Sequence, residues 1–308
     1  MLNNILIATA TATVFVGTLY PLALEALTGQ AISVGPPYFN LTFGPLMVPL
    51  LLALPFGPLL AWKRGDAAAA MERLLWAVGL TMVVAALTLA FTSRGPWLAP
   101  FALALGVWVI AGTVSDLAFR AKVGRAPWPE VLRRLRNLPR ASFGGALAHA
   151  GVGVMVIGIV ATSAWQSEKV VAMRPGEKLD IAGYTLDFRG TAPGAGPNYQ
   201  ELTGIFAVTR GGAPVTELTP SKRLYDQPRQ PTTEAGIHAS WRGDLYAVLG
   251  DEQQTGAYTV RVYFNPLVRL IWIGAVIMFF GGLLSLSDRR LRVGAPQRAR
   301  PRGLQPAE

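Results

Sequence analysis

Cysteine is absent from the 308 residues. That excludes a disulfide framework, a thiolate metal site and thiol chemistry on this chain. Histidine is nearly absent: His149 and His238 are the only two, so a metal site built from several histidines is excluded too. Charge is scarce. Charged residues make up 15% of the chain and hydrophobic ones 51%, where soluble domains carry about 25% charged residues. Long apolar runs with so little charge describe an integral membrane protein. The net charge of +10 raises nucleic acid as a partner, but its distribution argues otherwise. Between residues 166 and 265, 10 basic side chains nearly cancel 11 acidic ones. The excess lies in short segments beside apolar runs, where it reads as membrane topology. No Ser-His-Asp arrangement, phosphate loop or carboxylate pair stands out.

Hydropathy places five spans before the polar stretch, at residues 1–26, 43–62, 74–91, 97–119 and 142–165, and a sixth at 266–286. The first opens as Met1-Leu2-Asn3-Asn4 without Lys or Arg, so it lacks the basic start of a signal peptide. It reads as a chain beginning inside a helix, as the back half of a longer protein would. Pro45, Pro49, Pro55 and Pro58 break or bend the second span. Residues 28–40 read as a loop in which Gly35, Pro36, Pro37, Tyr38, Phe39 and Asn40 form either a connector or a partner-binding surface. Asp116, near the end of the fourth span, is expected as an interfacial or capping residue. Arg120, Lys122, Arg125, Arg133, Arg134, Arg136 and Arg140 follow it. Within them a short helix starting at Pro129-Glu130 would set Val131, Leu132, Leu135 and Leu138 on one face. The same arginines also serve as a plain topology signal.

Residues 166–265 alternate with period two: Tyr184, Leu186 and Phe188 against Thr185 and Asp187, then Tyr258, Val260, Val262 and Phe264 against Thr259 and Arg261. Turns are expected at 190–197 and 211–214. This predicts a small antiparallel β domain, sandwich or barrel. Residues 287–308, rich in Arg and Pro, read as a disordered basic tail. The fold class expected is therefore an all-α membrane bundle of six transmembrane helices with one small antiparallel β domain between the fifth and sixth spans. Basic loops put both termini in the cytoplasm and the β domain in the periplasm, which makes this a multi-pass protein of a bacterial inner membrane.

His149 is the residue that carries chemistry. It sits in the apolar run Gly144 to Val160, with Ser142 a plausible N-cap. An ionisable side chain within a span is a functional-site candidate by default. Gly145 and Gly153, four residues before and after it, share its helix face and leave that face flat. Three readings stay open: a metal or haem ligand, a hydrogen-bonded structural residue, and a proton relay. The flat glycine face favours a porphyrin. The only metal contact this allows is through haem iron, and no second intramembrane histidine is present. His238 reads as a surface or strand residue.

Several blocks resemble a known family. Leu2-Asn3-Asn4, the run Ala12 to Leu22, Ile32 to Gly35, Tyr38 to Phe43, Pro55 to Asp66 and Ala148 to Gly151 are similar to the CcmF/NrfE family of cytochrome c-type biogenesis proteins, the haem lyase subunit. The resemblance covers the chain but only the carboxy-terminal half of the family's usual length. It implies a function in cytochrome c maturation: reduction and covalent thioether attachment of haem to apocytochrome c. It also implies a haem b cofactor with one axial ligand at the position of His149. The partners implied are a CcmH-type subunit, the holo-CcmE haem chaperone, apocytochrome c, and quinol as electron donor. The family's tryptophan-rich WWD segment, its flanking histidines and the other axial histidine have no counterpart here. The chain is then either a fragment or a split subunit completed by an amino-terminal half of CcmF, and this half alone is expected to be inactive. A haem or small-molecule permease gated at the second span, and a scaffold docking the haem chaperone, are the alternatives.

Overall fold

The computed structural model describes residues 2–60, 66–92, 95–227 and 229–288. Six helices among them are long and apolar enough to cross a membrane. They are α1 (Leu2–Thr28), α2 (Pro36–Ala53) continued by a 3-10 turn (Leu54–Leu59), α3 (Ala67–Phe91), α4 (Ala99–Ala121), α6 (Arg140–Trp165) and α7 (Arg269–Leu286); the short α5 (Trp128–Arg136) comes between α4 and α6. The expected spans are all present, with ends displaced by up to about seven residues. Of the expected basic tail, only Ser287 and Asp288 fall within the described residues. The chain forms two compact units, the first built from residues 1–77, 109–152 and 275–308, the second from 78–108 and 153–274.

In the first unit, the loop expected at 28–40 ends early, because α2 begins at Pro36. Proline suits a helix start: its fixed φ fits the first turn, and its missing N–H is one that no helix partner would take. Tyr38 and Phe39 therefore ride on a helix and pack on α1. The Tyr38 hydroxyl donates to the Thr13 carbonyl at 3.1 Å, and a Cβ on Gly17 would stand 2.5 Å from the Tyr38 ring and 3.1 Å from that of Phe39. Both rings are therefore half-buried on α1 rather than standing free in a loop. The bend expected in the second span is a change of helix type: Pro55 and Pro58, which cannot donate, fall in the 3-10 turn.

Helices α6 and α7 touch at their backbones. A Cβ on Gly144 would lie 2.5 Å from the Gly281 carbonyl oxygen, and one on Gly281 would lie 2.5 Å from the Ala148 nitrogen. Small residues at such crossings let apolar helices approach without a hydrophobic driving force between them. The start of α6 is held from the same side, since the Ala141 N–H donates to Asp288 Oδ2 at 3.0 Å. Asp288 thus takes the capping place expected of Ser142, which lies inside the helix. On α5, Val131 is buried and Leu132 exposed, and Arg134 beside Glu130 holds that carboxyl below the usual carboxylate range.

In the second unit, α6 meets α4 where a Cβ on Gly106 would come within 2.8 Å of the Gly153 carbonyl oxygen. It meets α7 at Gly158, where a Cβ would lie 2.7 Å from the Ile271 nitrogen. The β domain runs from β1 (Ser167–Met173) through β2 (Lys178–Ile181), β3 (Tyr184–Ala195), β4 (Tyr199–Arg210), β5 (Ala213–Leu218), β6 (Ser221–Tyr225), β7 (Gln230–Glu234), β8 (Gly236–Ser240) and β9 (Gly243–Glu252) to β10 (Tyr258–Pro266). One sheet has the order β1-β10-β9-β8, the other β2-β3-β4-β6-β7 with β5 also on β4. Every pairing is antiparallel. Both sheets contribute to one core: Leu186, Phe188 and Phe206 from one, Leu245, Leu249, Val260 and Val262 from the other. The two phenylalanine rings stack at 4.7 Å. The alternation read in β3 and β10 is the alternation of this core. The turn expected at 190–197 is shorter, because Gly190, at φ +122°, makes a bulge that lets β3 continue to Ala195.

These contacts set two neighbouring glycines apart. We expect Gly144→Ala to destabilise the protein by about 2 kcal/mol through overpacking. Gly145→Ala, whose Cβ would meet nothing within 4 Å, should instead stabilise it by about 0.5–1 kcal/mol, the usual gain from removing a helix glycine. Thermal unfolding in one detergent compares them, and equal effects would contradict the α6–α7 contact.

Candidate functional site

His149 leaves α6 toward the end of the 3-10 turn and the middle of α4. It lines a small cavity with Leu54, Pro55, Pro58, Val109, Gly112, Thr113, Asp116 and Ala146. Gly112 is what admits the turn: a Cβ there would lie 2.3 Å from the Pro55 ring. The proline kink and the α4 glycine together bring the turn against the wall opposite His149.

The polar groups of this wall are largely satisfied within α4. Thr113 Oγ1 donates to the Val109 carbonyl at 2.9 Å. Asp116, near the end of α4, is 5% exposed, so it is a carboxylate buried among the helices. It accepts Nε–H of Arg120 on both oxygens, at 2.8 and 2.9 Å. A buried carboxylate without such a partner would carry a large desolvation cost. The sequence signal for this pair was present: an acid in an apolar helix with an arginine one turn on.

The imidazole itself makes no hydrogen bond among the described residues. Gly145, one turn before it, faces open space. Gly153, one turn after it, is buried at the α4 crossing. Of the two glycines expected to flatten the face, Gly145 stands open in the first unit, and Gly153 is buried within the second. His238 lies on β8 with its ring 6.1 Å from that of Tyr184, edge to face, the strand residue it was read as. No cluster of three or more His, Cys, Asp or Glu suited to a metal ion occurs among the described residues.

The cavity beside His149 has about 10 Å³ of room, the space of one water molecule. A porphyrin does not fit between His149 and the Pro55 turn. What the residues fit is one axial ligand: an imidazole with neither nitrogen engaged, next to a helix face kept open by Gly145. A haem held by this side chain would need the rest of its pocket from outside these walls.

Residues 164–266 match the family model described as the CcmF C-terminal beta-sandwich. The chain is 53% identical over 300 residues to the cytochrome c-type biogenesis protein CycK of Rhizobium meliloti, covering 97% of this chain and 44% of that protein. It is 50% identical to CycK of Bradyrhizobium diazoefficiens, covering 100% and 47%, and 35% identical to CcmF of Escherichia coli K12, covering 97% and 45%. The chain belongs to the CcmF/NrfE family. It spans about half the length of the curated relatives it matches, their carboxy-terminal half. A solved structure named Cytochrome c Heme Lyase CcmF superposes with a TM-score of 0.71 at 21% identity, over 93% of this chain and 45% of that one. The CcmF fold thus holds for the helices and the sandwich together.

Within this CcmF relative, the buried pair should matter to stability independently of His149. We expect Asp116→Asn to lower stability by about 2–3 kcal/mol, because it leaves the Arg120 cation without its buried counterion. The double variant Asp116→Asn, Arg120→Gln should recover part of that loss, which a double-mutant cycle in detergent would read.

Proposed function

We propose that this chain is the carboxy-terminal part of a haem lyase that acts in cytochrome c maturation, and that His149 gives one axial ligand to a b-type haem. The observation that carries the reading is the state of His149: an imidazole inside a span, unengaged, beside an open glycine face. The names of the CycK and CcmF relatives support the process.

Neutral imidazole has a lone pair on one ring nitrogen and is a common axial ligand of haem iron. When bound, the haem would supply a one-electron redox centre. The residues of this chain do the rest of what can be assigned here. His149 presents the nitrogen, Gly145 leaves room for a flat ring system, and Asp116 with Arg120 fixes the wall behind the imidazole. The open side would be closed by an amino-terminal half of CcmF, which would also bring the second axial ligand.

The basic residues at the ends of α3, α4 and α6 favour a topology with both termini in the cytoplasm and the sandwich in the periplasm of an inner membrane. On that side the sandwich would meet holo-CcmE, a CcmH-type subunit and apocytochrome c, and quinol would be the electron source.

Haem content and cytochrome yield test this together. Co-expressed with the amino-terminal half of a CcmF relative, the chain should purify with haem that is released by acid and organic solvent, as a non-covalent b haem is. His149→Ala should cut both the haem content and the yield of mature cytochrome c by at least about tenfold, the effect of more than ~1.4 kcal/mol, while the protein stays folded. Unchanged haem content in the variant contradicts the ligand assignment.

A further inference from the structure

A second and much larger cavity opens in the first unit, at the basic ends of α3 and α4. It holds about 760 Å³ and is lined by residues of two kinds. Arg73, Arg120, Lys122 and Arg125 bring cationic heads; Trp76, Phe119 and Val123 bring apolar surface. Arg73 comes from α3 and the other three cations from the end of α4 and the segment after it, so the charge does not belong to one helix terminus.

One contact holds a cation in place, and the backbone is fixed beside a second. The Arg73 guanidinium carbon lies 3.9 Å above the centre of the Phe119 ring, a cation–π contact that fixes its plane. Lys122 has φ +59°, the left-handed conformation usually left to glycine at the end of a helix. The backbone closes around it as in such a helix end: the Lys122 N–H donates to the Phe119 carbonyl at 3.1 Å, and the Val123 N–H to that of Ala118 at 3.0 Å. A lysine in this place costs of order 1 kcal/mol where a glycine would cost little, and strain of this kind is a pointer to function. The cations at a helix end do offset its dipole, but that needs neither a cation from α3 nor an apolar wall. Among the described residues, neither Lys122 nor Arg125 forms a close ion pair; Lys122 feels the Glu130 carboxylate only at longer range, and both side chains are exposed and open to a ligand.

We propose that this cavity is a binding site for an anionic phospholipid. Its phosphate would sit among Arg73, Lys122 and Arg125, and the start of its acyl chains would lie along Trp76, Phe119 and Val123. A pocket that joins cations to apolar surface at the end of spanning helices fits a molecule with a charged head and an apolar tail. A free phosphate would use only the cations. The site is independent of the haem reading and does not involve His149.

Native mass spectrometry of the full chain, released from neutral detergent, tests the proposal with three probes: phosphatidylglycerol, phosphatidylcholine and inorganic phosphate. We expect phosphatidylglycerol to bind at least about tenfold more tightly than phosphatidylcholine, and inorganic phosphate at equal concentration not to displace it. Lys122→Gln with Arg125→Gln should weaken phosphatidylglycerol binding by about 25-fold, near fivefold per cation at about 1 kcal/mol each. Both side chains are exposed, so folding should be retained. Lys122→Arg should bind as the wild type does. Arg133→Gln, an exposed cation on α5 outside the cavity, should leave binding unchanged. Equal binding of the two lipids overturns the proposal, as does a double variant that binds like wild type. An equal loss in Arg133→Gln would mean diffuse surface charge, and displacement by phosphate would mean a phosphate site; either also overturns it.

Discussion

Close backbone approach along α6 is the constraint on which the rest depends. In the first unit, α7 reaches α6 at Gly144 and Gly281 to within the distance where a Cβ would meet a carbonyl oxygen. In the second, a Cβ on Gly106 of α4 would meet the Gly153 carbonyl oxygen, and one on Gly158 would meet the Ile271 nitrogen of α7. Between apolar helices in lipid there is little hydrophobic gain from contact, so packing at small residues has to supply the attraction. Within the first unit, the approach of α7 at Gly144 and Ala148 sets the azimuth of α6, and His149 points where that contact leaves it. The imidazole then faces the Pro55 turn and Asp116, with Gly145 open beside it.

That wall has its own logic. Pro55 and Pro58 convert the end of the second span into a 3-10 turn, and Gly112 on α4 makes the seat for it. Asp116 lies at the same wall, and its charge is tolerable there because Arg120 is paired with it one turn along. A fixed dipolar pair in a poorly solvated place influences a neighbouring imidazole far more than it would in water. The site is therefore rigid and polar on one flank and open on the other, which suits a ligand presented to a group held largely elsewhere.

The helices were legible because twenty apolar residues in a row have few other uses, and the β domain was legible because its inward face alternates strictly. Tyr184, Leu186 and Phe188 were read as one face and lie in the core. What was not legible depended on partners distant in sequence. Pro36 and Pro37 carried a turn signature as well as a helix-start signature, and only the fit of Tyr38 against Gly17 and Thr13 decides for the helix. Ser142 had the chemistry of a cap, but Asp288, 147 residues away, takes that place. At the candidate site His149 stood out as the sole ionisable group of its span. Gly145 and Gly153 were indistinguishable by spacing, since nothing local says that α4 crosses at one of them. Asp116 was visible as a residue, but its burial was not, because that follows from how helices pack.

The most direct test of His149 as an axial ligand is chemical rescue. The His149→Gly variant, co-expressed with the amino-terminal half of a CcmF relative, would be titrated with free imidazole and followed by visible absorption. If His149 binds haem iron, the variant loses the low-spin Soret and α bands of the wild type, and imidazole restores them as it enters the space the side chain left. A variant whose spectrum matches the wild type before any imidazole is added would contradict that role.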